Sequence, residues 1–359
     1  VLTRWTAALV VSSAFAGGQD LAPAITAAVD RVEALRARDR IPGGSAAVTI
    51  GDEIVWEHSF GVVDLGTQQP AGAGTRFRVG SLTKLLTVAA LLRLADQERL
   101  ELDEPVVKRL PDFPHPAITL RQLAGHLSGI RHYTEAEFLN TTPYASATDS
   151  LRKFVGDPLV APPGERYLYS SYAYDVLGAV IERVTERRFD EAERDLVTGP
   201  LGMSATSFAI DGATAAFYDN SKNGPVASPT VDLSDRYPAG AALSTAHDLA
   251  LFLSAMSGER FLSAGSRAEM ALSQETADGK KTNVGLAWRI AADTAGRTYL
   301  HHGGAVTGGR AVALFYPAER VSVALVTNLG FASFDQKDAL AIAAPFLEAR
   351  RKGAGTDER

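Results

Sequence analysis

Along the chain, apolar residues first fall into register over residues 22–38, APAITAAVDRVEALRAR, where they recur every three to four positions before stopping at Ile41-Pro42-Gly43-Gly44. That spacing predicts a helix with one buried face. Residues 45–64, SAAVTIGDEIVWEHSFGVVD, are β-branched and aromatic around a Gly51-Asp52 turn, which predicts an antiparallel hairpin. From Leu82 to Leu100 the residues are mainly Leu, Ala and Val with few charges, so a helix there is expected to be buried on most of its surface. The long middle, to residue 282, mixes helical patterns with Pro-Gly turns and polar loops. Strand patterns return only late, in VGLAWRIAA (284–292), GRTYLHH (296–302), GRAVALFYP (309–317) and RVSVALVTN (320–328). DALAIAAPFLEARR (338–351) then closes the pattern as a helix with a basic end.

Strands near both ends with helices between them predict an α/β (α+β) fold. One antiparallel sheet is formed by both chain termini and flanked by the terminal helices, and a large, mostly helical subdomain is inserted into it. The expected boundaries are a single domain over 25–352, its sheet part from 25–80 and 283–352 and its helical part from 81–282. A joint at 17–24 precedes it and a disordered tail at 353–359 follows. A cleft is expected where sheet, first buried helix and insert meet.

Composition narrows the function. A chain of 359 residues, 46% hydrophobic and 22% charged, can bury a large core. The net charge of -6, with both signs scattered, gives no electrostatic footprint for nucleic acid, which is set aside as a partner. With no cysteine, disulfides, thiolate metal sites and a cysteine nucleophile are excluded. Arg4 precedes an apolar run, WTAALVVSSAFA, that ends in the small-x-small pattern Ala14-Phe15-Ala16. Residues 1–16 are therefore read as a signal peptide, which implies a periplasmic or secreted protein. No other segment approaches membrane-spanning length, and no stable span is expected.

Candidate chemistry begins at FRVGSLTKLL, residues 77–86. A serine at the start of a buried helix sits where free backbone amides can receive an oxyanion, and Lys84, one turn on, can reach the Ser81 hydroxyl. Desolvation would lower the lysine's pKa toward that of a general base. The plain alternative is a helix cap and a lysine that snorkels to water. On spacing alone the two stand level, for Ser150 and Lys153 show the same separation in a polar stretch. There is no G-x-S-x-G elbow, no H-E-x-x-H zinc pattern and no phosphate loop. The adjacent His301-His302 is a poor chelate, because neighbours on a strand point to opposite faces; no metal or other cofactor is expected. Two further elements support Ser81: Tyr169-Ser170-Ser171 ahead of an amphipathic helix, and His301-His302-Gly303-Gly304 at the edge of a predicted strand. A serine–lysine pair, a loop tyrosine and a glycine-closed strand motif make up the signature of an acyl-serine enzyme.

With these motifs in order, the chain resembles the serine β-lactamase-related superfamily, which takes in class C β-lactamases, penicillin-binding D,D-peptidases and a carboxylesterase branch. HLSGIRHY (126–133), HHGGAV (301–306), ELDEPV after the first buried helix and AGAALSTAHDLALF (239–252) are similar to the branch of the mitochondrial serine β-lactamase-like protein. The resemblance runs from about residue 40 to residue 345. It implies that Ser81 attacks a carbonyl while Lys84 and Tyr169 move protons, a nearby lysine favouring the Tyr169 phenolate. It further implies an oxyanion held by the amides of Ser81 and Gly304, with Gly303 in the same strand motif. His301 is taken to stand where β-lactamases carry lysine, and Ser171 where many relatives carry a substrate-binding asparagine. His302-Gly303-Gly304 is the competing register of that motif. His126 and His132 are read as tying down a loop. Because histidine and serine replace lysine and asparagine, peptide or ester hydrolysis is favoured over penicillin-type substrates. A true β-lactamase or D,D-carboxypeptidase is the alternative. A non-catalytic scaffold that binds β-lactams or assembles into polymers is the reading outside enzymology. The expected partner is a small molecule or peptide with a scissile amide or ester, and self-association into a homo-oligomer is compatible with the sequence.

Overall fold

The computed structural model describes residues 20–258 and 260–354, with side chains to residue 351. The first helix, α1, is Ala22–Asp39, with a proline in its first turn and Ala24, Ala28, Val32 and Leu35 on its buried face. Pro23 suits a helix start, where its missing N–H has no intrahelical role; the helix therefore takes up the last three residues of the expected joint at 17–24. The hairpin follows as β1 (Gly43–Ile50) and β2 (Glu53–Gly61), joined at Gly51-Asp52. The late strands are β3 (Arg289–Ala292), β4 (Thr298–Val306), β5 (Gly309–Tyr316) and β6 (Val321–Thr327). They join the hairpin in one six-stranded sheet of order β2-β1-β6-β5-β4-β3, antiparallel throughout, with the N-terminal hairpin joined to the late strands through the β1–β6 pair. The fold is the expected mixed α and β architecture.

Strands β1 and β6 are buried along their whole length, which requires cover on both faces. On one face α1 packs against the closing helix, Gln336–Ala354, and Trp56, Phe60, Tyr299, Leu325 and Phe346 share that layer's core. On the other face lies the larger core of the helical part. There α2 (Thr83–Asp96) is buried at nearly every position and crosses the helix Tyr172–Thr185, here α3. The closing helix passes through Gly353 and Ala354, the first two residues of the expected tail. The leader read at 1–16 and residues 355–359 lie outside the described residues. No helix among the described residues is long and apolar enough to cross a membrane.

Candidate active site

Ser81 occupies a 3-10 turn, Gly80–Leu82, that leads into α2, and Gly80 takes the left-handed backbone (φ 53°) that makes the turn possible. No side chain caps α2, so Ser81 does not serve as a cap. Its hydroxyl instead accepts two hydrogen bonds, from the Tyr169 hydroxyl at 2.8 Å and from Lys84 Nζ at 3.2 Å. Lys84 is wholly buried, and its other donors reach Ser171 Oγ at 3.0 Å and the Ala239 carbonyl at 2.6 Å. All three acceptors are neutral, so no paired charge offsets the cost of burying the ammonium. Burial pushes the Lys84 pKa down to about 8. The snorkelling alternative is therefore excluded.

Tyr169 lies in the loop just before α3. Its phenol is raised above the ordinary value by burial, against which the Ser81 hydrogen bond and the Arg289 charge work only in part. The expected phenolate is thus corrected. Lys84 approaches the ring face, 5.1 Å from its centre, and its hydrogen bonds go elsewhere, so Tyr169 is a neutral donor. Two imidazoles fix this loop. His126 Nδ1 accepts from the Ser170 N–H at 3.2 Å, and His132 Nδ1 from the Ser171 N–H at 3.1 Å. Their rings stand 4.5 and 5.4 Å from that of Tyr169. Acceptor nitrogens must be unprotonated, and burial first, then Lys84, keeps both histidines neutral, His132 down to about 4. Ser171, expected to touch substrate, is only 1% exposed and its hydroxyl is engaged by Lys84. It belongs to the lysine's surroundings instead.

The strand motif requires a second correction. Side chains alternate along β4: Leu300 joins the core of the helical part and Tyr299 the core under the terminal helices. His301 shares the face of Tyr299, with ring centres 5.5 Å apart, and points away from Ser81. His302 faces the cleft, 6.5 Å from the Tyr169 ring centre, and is buried. Its Nδ1–H donates to the Gly303 carbonyl at 2.8 Å, which leaves Nε2 as an acceptor, and burial pushes its pKa down to about 3. The competing register, His302-Gly303-Gly304, is the one the fold adopts.

The same alternation reassigns the oxyanion donor. The Ile290 N–H is given to Asn283, away from β4, so the backbone groups of Arg289 face its partner His301. On β4 those of His301, Gly303 and Ala305 share that edge, while those of Gly304 turn to β5. Since β3 pairs with β4 only through His301, the amide of Ala305 opens onto the cleft and that of Gly304 is spent in the ladder. A Cβ on Gly80 would stand 2.8 Å from Ala305 N, and a Cβ on Gly304 1.8 Å from the Val79 carbonyl. Gly304 is thus needed for close approach, and Gly303, whose Cβ would meet nothing within 4 Å, is not. Sequence reasoning also missed Arg289, an exposed residue whose guanidinium lies 5.9 Å from the Tyr169 ring centre.

A family model described as Beta-lactamase matches residues 28–345. The chain belongs to the beta-lactamase family. Two curated relatives are "Protein flp" of Staphylococcus aureus (strain MW2), 31% identical over 48% of this chain and 36% of that protein, and the mitochondrial serine beta-lactamase-like protein LACTB of Homo sapiens, 26% identical over 66% and 57%. The chain thus spans about a third of the first and little over half of the second. A solved D-stereospecific amidohydrolase from Streptomyces superposes with a TM-score of 0.74 at 26% identity, covering 89% of this chain and 98% of that one. The family is one of serine hydrolases on this fold, and the shared region holds Ser81, Lys84, Tyr169 and His302.

Proposed function

We propose that the protein is an exported serine hydrolase that cleaves amide or ester bonds through an acyl-enzyme on Ser81. The observation that carries this reading is the Ser81 hydroxyl held between Lys84 Nζ at 3.2 Å and the Tyr169 hydroxyl at 2.8 Å. Neutral Lys84, accessible because of its lowered pKa, takes the serine proton as Oγ bonds to the carbonyl carbon. The oxyanion is received by the amides of Ser81 and Ala305. Tyr169 gives its proton to the leaving nitrogen or oxygen as that bond breaks, and regains one from the Lys84 ammonium through the Ser171 hydroxyl. Water then attacks the acyl carbon and gives a proton to neutral Lys84, which returns it to Ser81 Oγ as the ester bond breaks and the acid leaves. Similarity to an amidohydrolase over nearly its whole length supports amide or ester chemistry. Export rests on the pattern at residues 1–16 alone.

A second reading, D,D-carboxypeptidase or β-lactamase action, is favoured by Arg289. This exposed cation at the mouth of the cleft has no carboxylate paired with it among the described residues, and could hold a substrate carboxylate. Labelling with a fluorophosphonate is expected for the wild type and lost in Ser81→Ala; labelling that survives the change refutes the nucleophile. Rates for a chromogenic cephalosporin, a nitrophenyl ester and a peptide anilide, measured side by side, separate the readings. Rapid cephalosporin turnover with little of the others favours the second.

A further inference from the structure

Beyond the end of β4, two phenylalanines from different parts of the fold meet across the cleft. Phe331 follows the short strand Leu329–Gly330, and a Cβ on Gly330 would stand 2.7 Å from Gly308 N and 2.8 Å from the Val306 carbonyl. That fixes Phe331 beside the C-terminal end of β4. Phe138 ends the helix Glu135–Phe138 of the helical part. The ring centres are 6.0 Å apart, tilted by 52°. Phe331 is 52% exposed and holds a left-handed backbone, φ 59°, which a bulky residue adopts only at a cost.

This pair is continuous with the reactive groups. From Tyr169 the rings of His132, Tyr133, Phe138 and Phe331 follow one another at 5.4, 3.8, 5.7 and 6.0 Å. Arg236 holds the far half in place, its guanidinium 4.9 Å from the Tyr133 ring centre and donating to the Phe138 and Glu137 carbonyls. Direction follows from β4. Arg289 and Tyr169, the proton donor to the leaving group, lie at its His301 end, and Phe331 lies at its Val306 end. A substrate laid along the open edge of β4 with its leaving group at Tyr169 extends its acyl part toward the two phenylalanines.

We propose that Phe331 and Phe138 form a subsite for the acyl part of the substrate, so that the enzyme takes aryl or arylalkyl acyl groups in preference to acetyl. The open face of Phe331 offers an aromatic ring an offset or edge-to-face partner. This assignment rests on Ser81 as nucleophile.

p-Nitrophenyl phenylacetate and p-nitrophenyl acetate share a leaving group and differ only on the acyl side. The wild type is expected to show kcat/KM higher for the phenylacetate by about tenfold after correction for uncatalysed hydrolysis. Phe331→Asn, which tolerates the left-handed backbone, and Phe138→Ala should each reduce that ratio by about fivefold. A ratio near one in the wild type, or one that neither substitution moves, overturns the subsite. Should the wild type hydrolyse neither ester, the nucleophile reading fails, and the subsite is judged by binding alone. NMR titration of the Ser81→Ala full chain with phenylacetamide and acetamide then decides. Phenylacetamide binding that Phe331→Asn abolishes upholds the subsite, and equal shifts for the two amides, or binding that persists in Phe331→Asn, overturn it.

Discussion

Replacing Gly304 by alanine tests the packing on which the proposed chemistry depends. A methyl carbon there would lie 1.8 Å from the Val79 carbonyl oxygen, 2.9 Å from its carbon and 3.3 Å from Ser81 N. Carbon and oxygen approach no closer than about 3.3 Å in ordinary contacts, so β4 and the Ser81 turn must part by roughly 1.5 Å. Overpacking of this kind costs on the order of 1–3 kcal/mol of stability. A shift of about 1 Å at a reacting centre costs on the order of 100-fold in rate, and Ala305 N moves together with β4. The expected outcome in steady-state hydrolysis of p-nitrophenyl acetate is a kcat/KM lower by about 100-fold, with a thermal midpoint lowered by a few degrees. Gly303→Ala is the control. Its Cβ enters open space, and both quantities should stay within about twofold or 0.5 kcal/mol of wild type. Full activity in Gly304→Ala, or an equal loss at Gly303, would show that β4 does not abut the nucleophile as described.

Because Lys84 must be neutral to accept the serine proton and burial holds its pKa at about 8, kcat/KM should rise with pH through about 8 and level off above it. Lys84→Arg, which cannot deprotonate, should lose about 10³-fold, and a pH–rate profile flat from 6 to 10 would refute the assignment of base. His302→Ala is expected to lower kcat/KM by about tenfold or more and His301→Ala to leave it within about twofold; the reverse order would restore the other register. His132→Phe leaves the Ser171 N–H without its acceptor and should lower stability by about 1–3 kcal/mol in urea unfolding, with partial recovery in His132→Asn, whose Oδ1 can take the place of Nδ1. Asp175 is fully buried beside this network with neither carboxylate oxygen bonded, and burial followed by repulsion from Asp235 raises its pKa well above the ordinary carboxylate value. Asp175→Asn should therefore leave the kinetic midpoint near 8; a midpoint lower by a full unit would mean that Asp175 carries charge.

What could be read from the chain divides by the range of the physics. Ser81, Lys84 and Tyr169 were legible because each sits in a local pattern: a helix start, a charge in an apolar helix, a tyrosine before an amphipathic one. The strands were legible from β-branched runs and turns. The strand motif was harder because His301 and His302 are the same residue type one step apart, and one step on a strand reverses the face. Which core each face of β4 packs on settles it, and no local pattern encodes that packing. The move of the oxyanion donor from Gly304 to Ala305 rests likewise on a tertiary fact, the pairing of β3 with β4. His126 and His132 were expected to tie down a loop, but that the loop is the one carrying Tyr169, some forty residues on, is a tertiary fact. Arg289, a lone charge in a strand pattern, reads as solvated until Tyr169 is placed beneath it. The one local trace of the Ser171 reassignment is that a hydroxyl directly before α3 is short enough to be covered.

The proposed chemistry gains from what surrounds Lys84 being uncharged. Among the described residues no carboxylate lies within ion-pair distance of Nζ, and its contacts are two hydroxyls and a carbonyl. A carboxylate in contact would hold the lysine protonated and useless as an acceptor. Burial pushes the pKa of the neighbouring acid Asp175 well up, and the same dryness keeps the three imidazoles of His126, His132 and His302 unprotonated. When Ser81 gives up its proton, the new ammonium and the new oxyanion appear together, a few ångströms apart, with little competing charge near them. In a medium of low polarizability such a pair attracts strongly, so the charge separation of the reaction supplies its own counter-ion at the moment it is needed. The price of that arrangement is a lysine that folding must bury without a partner, which explains why three separate elements, the Ser81 turn, the loop before α3 and the chain at Ala239, converge to give it hydrogen bonds.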